Sequence, residues 1–241
     1  MKKIKKLSLI IVLILAANIK VFAASGFEAA LSVPLGASFG IFDGEMTTYG
    51  SSPAINSEVG FNSGVKVQLG YMFDFGGFGL SLLGELGYSY DSYRISLSYS
   101  FTPFNGVTTS IKSYSSTYLH NFQIGVLPKF NFGDFALGIG GGVKIPMAGT
   151  EENKIETTTG YSTSTSTSKL KYSSSDYKSN VIGYIKATFD YSFFFADNMA
   201  FVLGAYMGYD ITPSFKGTDN RLDSFYIGAE LGFKFGPRVG Y

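Results

Sequence analysis

The sequence predicts an all-β protein: an antiparallel up-and-down β-barrel that crosses a membrane, with eight strands expected and ten as the alternative. Three observations predict it. Apolar and polar residues alternate with period two along nearly every long segment after residue 23. The links between these segments are short and long in turn. The composition combines 23 Phe and 17 Tyr with only 15% charged residues, against about 25% in ordinary soluble domains.

The chain begins with an export signal. Met1 to Lys6 is a basic n-region, Leu7 to Ala17 an apolar h-region, and Val21-Phe22-Ala23 carries small residues at the −3 and −1 positions of a cleavage site. Residues 1–23 are therefore expected to be removed, leaving 24–241 as a single barrel domain. The apolar run is too short for a membrane anchor, which needs roughly 20 residues. Without the five lysines of the signal, 14 basic residues of the original 19 face 18 acidic ones, a net charge of −4. That balance, with no basic cluster, argues against a nucleic-acid partner. The absence of cysteine excludes disulfides, thiolate metal sites and a lipobox.

The strands follow in order. Phe27, Ala29, Leu31, Val33, Leu35, Ala37 and Phe39 share one face of the first, opposite Glu28, Ser32, Gly36 and Ser38. Val59, Phe61, Val65, Val67, Leu69, Tyr71, Phe73 and Phe75 oppose Glu58, Asn62, Lys66, Gln68 and Asp74 in the second. The next five are expected at 80–99, 117–132, 135–147, 179–195 and 199–211. Their charges keep to one parity: Glu85, Lys129, Lys144, Lys186 with Asp190, and Asp210. In 80–99 the apolar parity slips between Tyr90 and Tyr93, which predicts a β-bulge or the exit from the membrane. The last strand sets Phe225, Ile227, Ala229, Leu231, Phe233 and Phe235 against Tyr226, Gly228, Glu230, Gly232 and Lys234. Gly76 to Gly79, Gly133-Asp134 and Ala196 to Asn198 read as tight turns. Long links are expected at about 42–57, 101–116, 148–178 and 212–223.

Parity alone does not separate a lipid-facing barrel from a soluble one with an apolar bore. Strand segments of 13 or more residues exceed the roughly 9–11 needed to cross hydrocarbon. Aromatic residues gather near strand ends, as interfacial girdles require. The polar face is rich in glycine and carries both charge signs, which suits an eight-stranded interior filled by side chains. These features turn the apolar face outward to lipid.

Alternating strands, short turns, long loops and an export signal together resemble the small eight-stranded outer-membrane proteins of the OmpX and OmpA-barrel kind. The resemblance is architectural and covers essentially the whole mature chain. It implies outer-membrane lipid as the surroundings, periplasmic turns and termini, and extracellular long loops. It also implies that barrel-assembly machinery reads the last strand, where Ile227, Ala229, Leu231, Phe233 and Phe235 match the usual alternating signal with a terminal aromatic. Gly-Pro-Arg-Val-Gly-Tyr follows, so either Phe235 is the functional end or Tyr241 substitutes after a break. Pro237 lacks a ladder donor and argues against strand continuation.

With lipid outside, Glu28, Glu58, Lys66, Asp74, Glu85, Lys129, Lys144, Lys186, Asp190, Glu230 and Lys234 point inward or sit at the rims. An unpaired charge there costs several kcal/mol, so a self-satisfied polar plug is expected ahead of a small-solute path. Catalytic, cofactor and metal residues are not expected. Lipid A deacylase-type barrels use a Ser and a His two residues apart, whereas the single histidine here gives His120-Asn121-Phe122 and falls on the outward parity. Gly138 to Gly142 resembles a phosphate loop only superficially, because no helix follows. The Ser/Thr run 157–168 cannot pack a core. It reads as a solvated loop or a recognition element, and its β-propensity also allows a hairpin above the membrane. The expected role is a non-enzymatic surface barrel whose loops bind an extracellular ligand in adhesion or host interaction, or support envelope integrity. A narrow pore for small or apolar solutes is the alternative, and a lipid-modifying enzyme a more distant one.

Overall fold

Strands form where alternate side chains meet two different environments, and a spanning strand must also pair both backbone edges, since hydrocarbon offers no hydrogen bonds. The computed structural model describes residues 25–44, 54–104 and 106–240. Residues 1–24, which include the expected export signal 1–23, and residues 45–53, 105 and 241 lie outside the described residues. The strands are β1 (Gly26–Asp43), β2 (Ala54–Ser57), β3 (Val59–Asp74), β4 (Gly79–Phe101), β5 (Thr109–Phe132), β6 (Phe135–Thr159), β7 (Ser162–Lys171), β8 (Ile182–Ala196), β9 (Met199–Ile211) and β10 (Arg221–Phe235).

Eight of them close on themselves, in the order β1, β3, β4, β5, β6, β8, β9, β10 and back to β1, all antiparallel. β2 continues the line of β3 and pairs with β4, while β7 pairs with β6 alone. The hairpin considered for 148–178 therefore exists, yet it adds no spanning strand. A path across paired residues leaves β1 at Gly36 and runs through Gly228, Tyr206, Thr188, Gly138, Lys129, Ser81 and Met72. It re-enters β1 at Gly26, a stagger of ten residues. Such a stagger tilts the strands and closes a narrow bore.

Burial is inverted relative to a soluble protein. Glu85 is 1% and Lys144 2% exposed, whereas Val126 is 63% and Leu231 59% exposed. Leu35, Ala229, Ala205, Phe189, Leu137, Phe130, Leu80 and Phe73 follow one another across paired strands on the outer surface. Near the short turns, Tyr71–Phe73, Phe75–Phe78, Tyr191–Phe193 and Phe195–Phe201 pair their rings at 4.5–5.0 Å. Near the other end Phe39–Phe225, Phe61–Tyr90 and Tyr90–Tyr118 form a second girdle at 6.4–6.5 Å.

Four expectations change. The link at 101–116 is mostly strand, because β4 runs to Phe101 and β5 starts at Thr109. Similarly, β6 reaches Thr159 and β7 occupies 162–171 within 148–178, and β10 starts at Arg221 within 212–223. Alternating Ser and Thr tolerate both faces of a solvated sheet, which is why these segments read as loops. The parity slip at Tyr90–Tyr93 is no bulge in β4, whose register with β5 is unbroken from Gly79 to Phe101. The extra residue lies opposite, around Glu58 between β2 and β3. Above the girdle the environments exchange: Tyr93 and Ile95 seal the bore while Arg94 and Ser98 are only partly buried.

Candidate functional site

The charges that alternation directs inward meet in three layers. Nearest the short turns, Lys234 pairs with Glu28 at 3.2 Å and Lys129 with Asp190 at 2.7 Å. The Ser81 hydroxyl donates to Glu28 at 2.5 Å. At mid-height Glu85 accepts from Lys186 at 2.5 Å, Gln123 at 2.7 Å, Gln68 at 3.0 Å and the Tyr184 hydroxyl at 3.2 Å. Gly125 makes this possible, since a side chain there would collide with the Tyr184 hydroxyl. In the upper layer Lys144 lies between Asp210 at 2.7 Å and Asp91 at 3.1 Å. Asp91 also accepts from Ser89, Asn121 and Asn62, and Asp210 accepts from the Tyr93 hydroxyl at 2.9 Å.

The remaining expected residues divide. Lys66 is buried and sits over the Tyr206 ring, 5.3 Å from its centroid, with no ion pair among the described residues. Glu230 is buried beside Ser32, whose hydroxyl lies 3.5 Å from its carboxylate. Asp74 is at the rim that carries the short turns, where its carboxylate caps the Gly76 amide at 2.8 Å. Glu58 stays outside the lumen, half-buried in the bulge. Asn62 and Tyr226 were placed on the polar face of their strands, whereas Asp91, Gln123, Tyr184 and Tyr206 were not assigned from sequence. Each lies on the polar parity of its strand, and extending that parity past the aromatic run 88–93 finds Asp91.

Both ends of the bore are closed. Beyond Phe235 the chain turns under the barrel: Arg238 pairs with Asp134 at 2.9 Å and lies over the Phe194 ring, and Val239 is buried by Met72 and Gly79. At the opposite end Tyr93, Leu119 and Ile182 form an apolar cluster covered by Tyr172 and Leu222. β4 leans inward here, and Gly40 leaves the space where a side chain would stand 2.6 Å from the Arg94 carbonyl oxygen. A strap over the mouth includes a turn of 3-10 helix, Ser174–Asp176. It is tied to the link 212–220 by the Lys178 amide on the Ser214 carbonyl and the Lys216 amide on the Asp176 carbonyl, both 2.9 Å. Burial and the nearby Asp176 push the Glu151 carboxyl up, and burial pushes the Tyr172 phenol up to about 12.

His120 points outward at the girdle, its Nδ1 2.6 Å from the Tyr88 hydroxyl and its ring packed against Tyr90. No three metal-ligating side chains converge among the described residues.

Above the girdle, β4 to β7 continue as a sheet. All ten residues of β7 are exposed, and among the described residues β7 has a partner strand on one edge only. Hydroxyl pairs bind adjacent strands: Ser100–Ser110 at 2.7 Å, Thr109–Thr159 at 3.2 Å and Thr158–Thr163 at 3.0 Å.

Charged residues buried within an even-numbered antiparallel ring, apolar residues outside, and the tight turns between spanning strands gathered at one end fit a membrane-spanning barrel. The chain is an outer-membrane β-barrel. No protein-family model and no curated sequence matches this barrel. Solved structures similar to it include Ail, the attachment invasion locus protein of Yersinia pestis, in complex with the heparin analogue sucrose octasulfate. That match has 15% identity, covers 87% of this chain and 99% of that one, and has a TM-score of 0.31. The outer membrane protease OmpT from Escherichia coli matches at 11% identity, with coverage of 89% and 98% and a TM-score of 0.37. OprG from Pseudomonas aeruginosa matches at 12% identity, with coverage of 89% and 97% and a TM-score of 0.30. Similarity at this level does not transfer an activity to the barrel.

Proposed function

We propose that the barrel is a non-enzymatic surface scaffold and that its working part is the extracellular sheet of β4 to β7, used for adhesion or host recognition. The observation that supports this reading is the fully exposed, hydroxyl-rich β7, held above the membrane with one edge unpartnered among the described residues. A strand that served only to close the barrel would end at the girdle. Here β4, β5 and β6 run to 23, 24 and 25 residues, about twice the roughly 9–11 that cross hydrocarbon. The closed lumen and its self-paired charges favour this reading over transport.

The test replaces residues 155–166 with an Asn-Gly turn, which joins Lys154 of β6 to its partner Thr167 in β7. Bacteria carrying either chain are scored for attachment to epithelial monolayers and for detergent sensitivity. The shortened barrel is expected to stay heat-modifiable while attachment falls severalfold. Unchanged attachment refutes adhesion, and a gain in detergent sensitivity alone favours an envelope-integrity role instead.

A further inference from the structure

We propose that β7 is a homotypic docking edge, which pairs antiparallel with the β7 of a second copy of this chain carried by a facing membrane. The inference rests on the reading of β4 to β7 as the adhesive sheet and names the partner of that sheet. β6 turns into β7 through Gly160-Tyr161, a two-residue link whose glycine has a φ of 59°. In such a hairpin the residues flanking the link, Thr159 and Ser162, exchange backbone hydrogen bonds. Bonded and non-bonded pairs then alternate along the strands. Thr163, Thr165, Thr167 and Lys169 therefore direct their amide and carbonyl groups away from β6, to the edge without a partner among the described residues. Edges of this kind are ordinarily blunted by proline, charge, a bulge or shortness. From Ser162 to Ser168 there is no proline and no charge, and the register with β6 is unbroken. By contrast β2, at the opposite edge of the sheet, has only four residues.

The sequence of β7 suits its own copy. Paired about Thr165, two strands set Thr165 against Thr165 and Thr163 against Thr167 on one face, with serine against serine on the other. The chain already joins strands this way, since the Thr158 and Thr163 hydroxyls lie 3.0 Å apart across β6 and β7. The same register carries Lys169 beyond the paired block, opposite the fully exposed ring of Tyr161, so no two lysines face each other. Orientation selects the facing membrane. Barrels in one membrane point their strands the same way, and strands tilted by about 35–45° would cross at the contact instead of pairing. A two-fold axis lying midway between two membranes sets the edges antiparallel along their whole length, which is also the more stable ladder.

Bacteria of a strain lacking the barrel are given the unaltered chain, a variant or none, labelled in two colours and mixed in pairs. Two-coloured clumps are then counted. Cells with the unaltered chain are expected to clump with one another severalfold more than with bare cells. Thr165→Pro removes one free-edge amide and no hydrogen bond to β6, so the barrel should stay heat-modifiable while clumping falls to the bare-cell level. Thr165→Lys and Thr165→Glu each set like charges face to face, and each alone is expected to lose clumping. Mixed with each other, these two are expected to recover it, which a folding defect would not allow. Equal clumping with bare cells overturns the proposal, because the edge then binds some other surface component. Clumping kept by a heat-modifiable Thr165→Pro barrel overturns it too, as does a Lys–Glu mixture that clumps no more than either variant alone. If cells with the unaltered chain attach to epithelial monolayers without clumping, the pairing fails while the adhesive sheet stands.

Discussion

Glu85 takes donors from Lys186, Gln123, Gln68 and Tyr184, so its charge is balanced and both of its oxygens are used. A buried ion pair of this kind adds little net stability, because desolvation offsets the attraction; removing one partner is what costs. Glu85→Ala leaves Lys186 and three polar side chains without their acceptor. It is expected to destabilise the barrel by about 3–5 kcal/mol, measured as urea unfolding in phospholipid vesicles. Replacing the pair together, by Glu85→Leu with Lys186→Met, is expected to recover much of that loss. If the double variant is as unstable as the single one, the cost lies in packing around Tyr184 and not in the stranded charge. The same residue shows what alternation can tell in advance. Inward parity was enough to place Glu85 and Lys186 in the lumen. It could not say which lysine Glu85 would choose, because partners 101 positions apart in the chain are brought together by the ten-residue stagger.

Among the elements, the strap over the mouth is the one most open to pH. Glu151 stands on β6 with Asp176, Tyr172 and Tyr177 around it. Burial is the largest influence raising its pKa, the Asp176 charge adds to it, and a hydrogen bond from Tyr177 opposes both. A carboxyl whose folded pKa is raised stabilises the closed strap fully below its unfolded pKa, about 4.3. That contribution is lost as pH rises through the raised folded value. Tyr172, held up to about 12, and Tyr177, also raised, stay neutral throughout. Amide protection at residues 172–178, corrected for intrinsic exchange, should therefore fall as pH rises from about 4 through the raised folded value. In Glu151→Gln the profile should be flat. Protection that rises over this range, or falls equally in the variant, would show that Glu151 does not control the strap. None of this was legible in the sequence, where 148–178 reads as polar and low in complexity. The spanning strands were legible because lipid and lumen impose opposite demands on successive residues. Above the girdle both faces of β7 meet water, the alternation loses its physical basis, and Ser/Thr content no longer separates strand from loop. Of the two causes expected for the Tyr90–Tyr93 slip, the exit from the membrane is the one the fold shows: Tyr93 faces inward with its hydroxyl on Asp210 because the bore needs an apolar seal at that height.

At the scale of the whole molecule, three barriers lie in series along the bore. Val239 and the turn beyond Phe235 close the end with the short turns, the layered ion pairs fill the middle, and the Tyr93 cluster with its strap covers the mouth. Loosening one barrier leaves the other two, so conduction is not controlled by the mouth alone. Tyr93→Ala is therefore expected to thin the seal without opening a path, and planar-bilayer recordings on the pure protein should show no steady current for either chain. A double change that leaves lumen cations unpaired, Glu85→Ala with Asp91→Ala, should let water and small anions enter and give flickering conductance if the barrel still inserts. Steady current in the unaltered barrel would count against the closed lumen, and with it against placing the function in the extracellular sheet. A silent barrel whose shortened β6–β7 hairpin no longer attaches would connect the two results: the lumen is closed because its strands serve to hold that sheet above the membrane.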